Sequence, residues 1–372
     1  MPVTKKIVKR SDGKRIASNG MRSGTNLPPP FKSSKFSSEK EPPHRVDLRP
    51  YCTPVEDQSE SNSCCANAAA GALEYLCKRV AMENGDDVGD ISRLFIYFIG
   101  RKNDQVRFGD TSVKVKDEGI TLSAAANSLT AQGACLEENW PFDLENINER
   151  PPPEAFEEAA GYKITEVKLV PLELKAMKQC LAEGYPIVFG CKLTKAFFTA
   201  PKGIVKTPDP SDPQSAEHGL HAMLIVGYSD SNKTFIVRNS WGPDWGDNGY
   251  CYMPYDYLAN EEFNMGDMWS ARGLTDYDFT PEDEDDDEEL FNQDDVEDED
   301  DEDLESEDED LGDDEEDPDA SDDKDLFEPK AIFKKVRTIL YGLCKMTEFV
   351  IWQWETTLNM VFPLDHFVLS DV

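Results

Sequence analysis

Several features are missing from this chain, and each absence narrows its function. No apolar run approaches the roughly 18 residues that a membrane-crossing helix needs. The first residues, Met1-Pro2-Val3-Thr4-Lys5-Lys6, carry charge but not the apolar stretch of about 7 to 15 residues that marks a secretory signal. The nine cysteines are an odd count, and without such a signal their default state is reduced, so a soluble, cytoplasmic protein is expected. Neither Cys-x-x-Cys nor His-Glu-x-x-His spacing occurs, so no metal and no other cofactor is expected. Positive charge is scarce. The 38 Lys and Arg face 75 Asp and Glu, a net charge of −37, which repels phosphate backbones and excludes nucleic acid as a partner.

That charge is unevenly placed. Residues 282–325 hold 31 acids and one base, Lys324, whereas residues 1–45 hold 11 bases and three acids. With −30 and +8 assigned to those segments and 326–372 balanced, residues 46–281 keep −15, an ordinary value for a soluble domain. Four segments are therefore expected: a disordered basic arm at 1–45, a folded domain at 46–280, a disordered acidic tract at 281–325, and a C-terminal segment at 326–372. In the last, Ile332, Val336, Ile339, Leu343, Met346 and Val350 recur at helical spacing opposite Lys330, Lys334, Lys335 and Arg337. The acidic tract would suit basic protein partners, and the terminal helix would suit docking on its own protein or on a partner, with contact with a membrane surface as the alternative.

Within the folded segment, Cys65, Ala69, Ala72, Leu73, Leu76 and Val80 predict a helix with Ser63 as its N-cap. Further helices are predicted at 92–100, 121–131 and 172–183, the last stopped by Gly184. Short β-rich runs follow at 186–190, 221–228, 234–239 and 250–253. Helices first and strands later indicate an α+β fold with a helical part at about 46–150 and a β part at about 151–280.

Three clusters carry chemistry. Cys64 stands at the predicted start of the first helix, where the positive end of the helix dipole favours a thiolate. His221 opens an apolar strand, and Asn239 follows the turn at 229–233. In a regular hairpin centred on residue 230 the two would face each other, so that the amide orients the imidazole and Trp241 covers their hydrogen bond. A nucleophile, a base and an orienting group are thus supplied. His218 is the competing base. Cys65 continues the apolar helical stripe and reads as core, as do Cys52, Cys77, Cys135, Cys180, Cys191 and Cys251.

Taken with Val46-Asp47-Leu48-Arg49-Pro50, with Gln58 six residues before Cys64, and with Asn239-Ser240-Trp241-Gly242, Trp245-Gly246 and Gly249-Tyr250, these clusters resemble papain-like cysteine proteases over about residues 46–275. The resemblance is strongest to the disulfide-free branch found in bacteria and large DNA viruses. It implies the papain two-lobed fold, a helical lobe beside an antiparallel β-barrel-like lobe. It also implies a cysteine endopeptidase acting on protein or peptide substrates, with Cys64 as nucleophile, His221 as base and acid, Asn239 as orienter and Gln58 as oxyanion donor. Ser59 and Asn62 stand where the family often has glycine, and the 45 residues before Val46 show no helical inhibitory segment. Two other readings follow: a catalytically inactive papain fold used for binding, and a carrier for an acidic interaction module.

Overall fold

The computed structural model describes residues 6–10, 12–22, 30–33, 35, 40–84, 89–194, 197–198, 200–209 and 217–275. The expected acidic tract, the C-terminal helix, Cys344 and the side chain of His218 lie outside them. Among the described residues the elements run β1 (Ile7–Lys9), β2 (Arg15–Ala17), β3 (Met21–Arg22), β4 (Arg45–Asp47), α1 (Cys64–Asn84), α2 (Arg93–Phe108), β5 (Ile120–Thr121), α3 (Leu122–Ala131), α4 (Pro153–Ala159), β6 (Ile164–Leu169), α5 (Leu174–Ala182), β7 (Ile187–Thr194), β8 (Glu217–Ser229), β9 (Thr234–Arg238), β10 (Tyr250–Pro254), α6 (Tyr255–Leu258) and β11 (Trp269–Leu274). Helices α1 to α3 precede every strand of the large antiparallel sheet except β4. That sheet has the order β10-β9-β8-β7-β11-β6, with β4 added onto β8.

Helix α1 is buried from Cys64 to Cys77, with no polar face along this stretch. Its small side chains, Ala66, Ala69, Ala70 and Ala72, let it lie between the sheet and helices α2 and α3, as a helix apolar all round must. One charge within it, Glu74, is fully buried and is satisfied by the Thr53 hydroxyl, the Ile91 N–H (3.0 Å) and Arg238 at 3.7 Å. Helix α2 starts where Ser92 Oγ accepts the Phe95 N–H and ends at Gly109 in the left-handed conformation, with a φ of 67°. It runs eight residues beyond the predicted end at Gly100, because the polar residues from Arg101 onward still carry a helical ladder. Helix α3 is capped by Thr121 Oγ1 on the Ala124 N–H.

The basic arm is corrected by the structure. Strands β1 and β2 pair antiparallel, Ile7 opposite Ala17, and β3 pairs in parallel with β5, Met21 opposite Ile120. Ile16, Ala17, Ser18 and Met21 are fully buried. Apolar density is too low here for a core of its own, but a few apolar anchors suffice when the receiving surface is already folded.

One buried carboxyl oxygen lacks a partner. Asp267, just before β11, is 8% exposed, and its Oδ1 has no hydrogen bond. Burial pushes its pKa up from 3.8 to about 6. The folded state therefore holds this proton more tightly than the unfolded chain does. Stability is greatest below about pH 4, falls as pH rises to about 6, and stays reduced above that. Asp267→Asn should therefore stabilise the protein by about 2 kcal/mol at pH 7, a rise of roughly 5 °C in Tm, and have little effect at pH 4. Thermal melts at the two pH values check this, and an equal shift at both would refute it.

Candidate active site

Cys64 is the first residue of α1, and its thiol is fully buried. Ser63, the expected cap, instead bonds through its hydroxyl to Ser61 Oγ (2.6 Å) and to Asn67 Nδ2 (2.9 Å), which fixes the turn that leads into the helix. Burial alone would push the Cys64 thiol up. Hydrogen bonding with Cys65 and His221, together with the His221 charge, more than reverses this, so the thiol lies well below its usual range. Its neighbour Cys65 goes the other way. Burial and the adjacent Cys64 hold it well above that range, and its S–H points to the Ile120 carbonyl at 3.3 Å. Two adjacent cysteines thus have opposite character, one thiol held below its usual range and the other above it. The other six cysteines of the described residues are also buried free thiols.

His221 lies in β8 directly opposite Cys191 of β7. Its Nε2 meets Asn239 Oδ1 at 2.8 Å, which leaves Nδ1 for the thiol. The expected pairing of His221 with Asn239 across a regular hairpin is incorrect. The ladder matches Leu224 with Arg238 and Ile225 with Val237, is interrupted by a bulge before Gly227, and ends at Arg238. Asn239 has left the strand, donating its N–H to the Gly249 carbonyl, and its side chain reaches back to the imidazole from outside the ladder. Residues 240–242 then turn to meet residues 56–58, through Gln58 N–H to the Ser240 carbonyl and Gly242 N–H to the Glu56 carbonyl.

This crossing positions Gln58. Its Oε1 accepts from Ser240 Oγ at 2.6 Å, which fixes the amide so that Nε2 faces the Cys64 turn, where it donates to the Ser61 carbonyl at 2.9 Å. Ser240 is therefore a positioning residue that sequence reasoning passed over. Ser59 takes up the left-handed conformation with a φ of 51°, so the loop keeps a path open to glycine even though serine occupies it. Asn62 is tied to Asp117 through its N–H (2.8 Å) and its Nδ2 (2.7 Å).

Trp241 is fully buried with its ring centroid 4.9 Å from His221. Phe198 stacks on it at 5.5 Å, and Phe197 and Trp245 meet it edge-on at 5.4 and 5.2 Å. This aromatic shell keeps water from the His221–Asn239 hydrogen bond and so strengthens it. Phe197 and Phe198 went unnoticed in the sequence, where an adjacent aromatic pair just after a strand was the available signal.

The least expected part of the site is its cover. The Ala17 N–H donates to the Ser59 carbonyl (3.2 Å), and Asn19 Oδ1 accepts the N–H of Leu220, the residue before His221 (3.1 Å). The Ile120 N–H donates to the Gly20 carbonyl (3.2 Å). A β-carbon at Gly20 would lie 2.5 Å from the Asn62 carbonyl oxygen, so only glycine allows so close an approach. Residues 17–21 thus touch both the loop that leads to Cys64 and the strand that carries His221, forming a strap across the cleft. Arg10 extends the contact with a hydrogen bond to the Trp241 carbonyl.

A two-lobed α+β fold with a cysteine and a histidine meeting where a helix faces a sheet defines a cysteine peptidase. The chain matches the model of the papain family cysteine proteases over residues 110–270. It is 34% identical over 230 residues to an uncharacterized peptidase C1-like protein of Acanthamoeba polyphaga mimivirus, covering 59% of this chain and 70% of that protein. Against cathepsin L2 of Homo sapiens the identity is 28% over 262 residues, with 61% and 67% covered. Among solved structures, xylellain, a cysteine protease from Xylella fastidiosa, superposes with a TM-score of 0.59 at 28% identity, covering 72% of this chain and 98% of that one. The chain belongs to the papain family of cysteine proteases and is a hydrolase. No helix among the described residues is long and apolar enough to cross a membrane.

Proposed function

We propose that the protein is a thiol endopeptidase that cleaves protein or peptide substrates through an acyl-enzyme on Cys64, and that its N-terminal strap holds it latent. The carrying observation is a thiol at the head of α1, lowered by an imidazole whose far nitrogen is bonded to Asn239. The Cys64 thiolate attacks the scissile carbonyl carbon, and the oxygen that becomes negative is held by Gln58 Nε2–H and the Cys64 backbone N–H. His221 then gives its proton to the leaving amine. It next takes one from water, which attacks the thioester and releases the acid and the thiolate. Asn239 keeps the ring in register, and Trp241 keeps the site dry.

The test is digestion of a peptide library by the chain lacking residues 1–22, beside the same chain carrying Cys64→Ala. Hydrolysis lost only in the variant is expected, and hydrolysis retained by Cys64→Ala would refute the assignment. For the remainder of the chain, the sequence pattern alone supports basic protein partners for the tract at 282–325, held by contacts that salt screens, and docking on protein or on a membrane surface for the segment at 326–372.

A further inference from the structure

Three of the six large apolar side chains exposed among the described residues fall within eight positions: Val106 (84%), Phe108 (54%) and Val113 (88%). They stand around the C-terminal end of α2. The loop at 109–116 folds back on the helix, because Lys102 Nζ donates to the Val113 carbonyl (2.7 Å) and Gln105 Nε2 donates to the Lys114 carbonyl (3.0 Å). Val113 is thereby held beside Lys102, one helical turn from Val106. Guanidinium groups flank Phe108, Arg107 at 5.6 Å and Arg22 at 5.9 Å from the ring centroid.

The charge here runs against that of the whole chain. Lys102, Arg107, Lys114 and Lys116 meet one exposed acid between residues 101 and 116, Asp110, in a protein of net charge −37. Among the described residues the lysine ion pairs are made by Lys14, Lys168, Lys175 and Lys178, and none by Lys102, Lys114 or Lys116. The basic residues near the N-terminus are already engaged, Lys14 with Asp244 and Arg15 with Glu60. An exposed apolar cluster ringed by lysines fits an acidic segment that also carries large apolar side chains.

This chain contains such a segment. Residues 282–296 hold ten acids and no base, together with Leu290, Phe291 and Val296. Its tether also has a suitable length. At the end of β11 the Thr275 N–H donates to the Lys163 carbonyl (3.0 Å), and the neighbouring Tyr162 carbonyl accepts the Ala134 N–H (3.2 Å), just past the end of α3. The start of α3 meets the end of α2, where Ser123 Oγ accepts from Arg107 Nη1 at 2.7 Å. Thr275 is therefore about one length of α3 from the cluster, roughly 15 Å for its 10 residues. Leu290 is 15 positions on from Thr275, and a coil of that length spans about 20 Å. Matched lengths give the greatest effective concentration, on the order of 1 mM.

We propose that residues 282–296 dock on the end of α2 and the loop at 109–116 of the same chain, their acids on Lys102, Lys114 and Lys116 and their Leu290-Phe291 pair against Phe108 and Val113. The docked segment covers a surface that would otherwise take acidic proteins or anionic lipid.

The experiment is zero-length cross-linking of the full-length chain with a water-soluble carbodiimide, which joins a lysine amine to a carboxylate in contact with it, read by mass spectrometry. Links from 282–296 to Lys102, Lys114 and Lys116 should exceed those to the exposed Lys202 and Lys206 by about tenfold or more, and should fall about threefold or more in about 0.5 M salt. Phe108→Ser should lower them by about tenfold, and so should Leu290→Ser with Phe291→Ser, which changes no described residue. Links spread evenly over exposed lysines, or unchanged in both variants, would overturn the proposal. Mixing isotopically labelled with unlabelled protein tells one chain from two: links within one isotope are expected, and mixed links would assign the surface to a second copy and overturn docking within the chain. Sedimentation of the full-length chain with phosphatidylcholine–phosphatidylserine vesicles, abolished by Phe108→Ser, would assign the surface to a membrane and overturn it as well.

Discussion

Deletion of residues 1–22 is expected to raise the rate at which an electrophilic thiol reagent alkylates Cys64 by about 100-fold or more, because a thiol with no exposed surface can react only when its cover opens. What holds the cover decides how it can be released. Four ion pairs tie the strap down: Lys14 with Asp244 (2.8 Å) and Asp57 (4.0 Å), Arg15 with Glu60 (3.3 Å), and Arg22 with Glu118 (3.3 Å). All include a side chain at least one-third exposed, so each contributes little and is screened by salt. The fully buried Ile16 and Met21 contribute about 2 kcal/mol each and are not screened.

Apolar seating therefore outweighs charge. Salt at about 0.5 M should raise the alkylation of the intact chain only a few-fold, whereas the deletion should have the full effect. Comparable alkylation of intact and truncated chains would show that the strap does not guard Cys64.

The parts of this site that depend on local chemistry could be read in the sequence. Gln58, Cys64, His221 and Asn239 come together, and the helices expected from residues 92 and 121 begin there. What was not legible depends on what the rest of the molecule offers. The strap looks like low-complexity chain because its binding energy lies in a cleft made by distant residues, Ser59 to Asn62, Gly119 to Ile120, Gly190 and Gly219 to Leu220. The hairpin register was misplaced because the bulge between Ile225 and Gly227 leaves no mark in the hydrophobic pattern, where every residue of 222–226 is apolar and buried.

Replacing His221 with alanine should lower kcat/KM of the strap-free peptidase by about 10⁴-fold or more, the scale on which removal of a coupled base acts. The same substitution has a signature that a purely structural loss would not produce. In the parent chain the Cys64 thiol lies well below its ordinary value of 9.0, through hydrogen bonding with Cys65 and His221 and through the charge of the ring. A lowered thiol pKa means thiolate already present at neutral pH, so alkylation of Cys64 should be nearly flat from pH 6 to about 8. Without the imidazole, burial is left to act, and burial raises a thiol pKa. Alkylation of His221→Ala should therefore climb by about tenfold per pH unit across that range. Cys65 cannot mimic the result, because burial and its neighbour hold it in the thiol form at these pH values. Asn239→Ala should be milder, slowing hydrolysis while keeping the flat alkylation profile, since it loosens the ring without removing it. A His221→Ala chain whose Cys64 still reacts independently of pH would mean that the ring does not lower the thiol, and the proposed division of roles between nucleophile and base would fall with it.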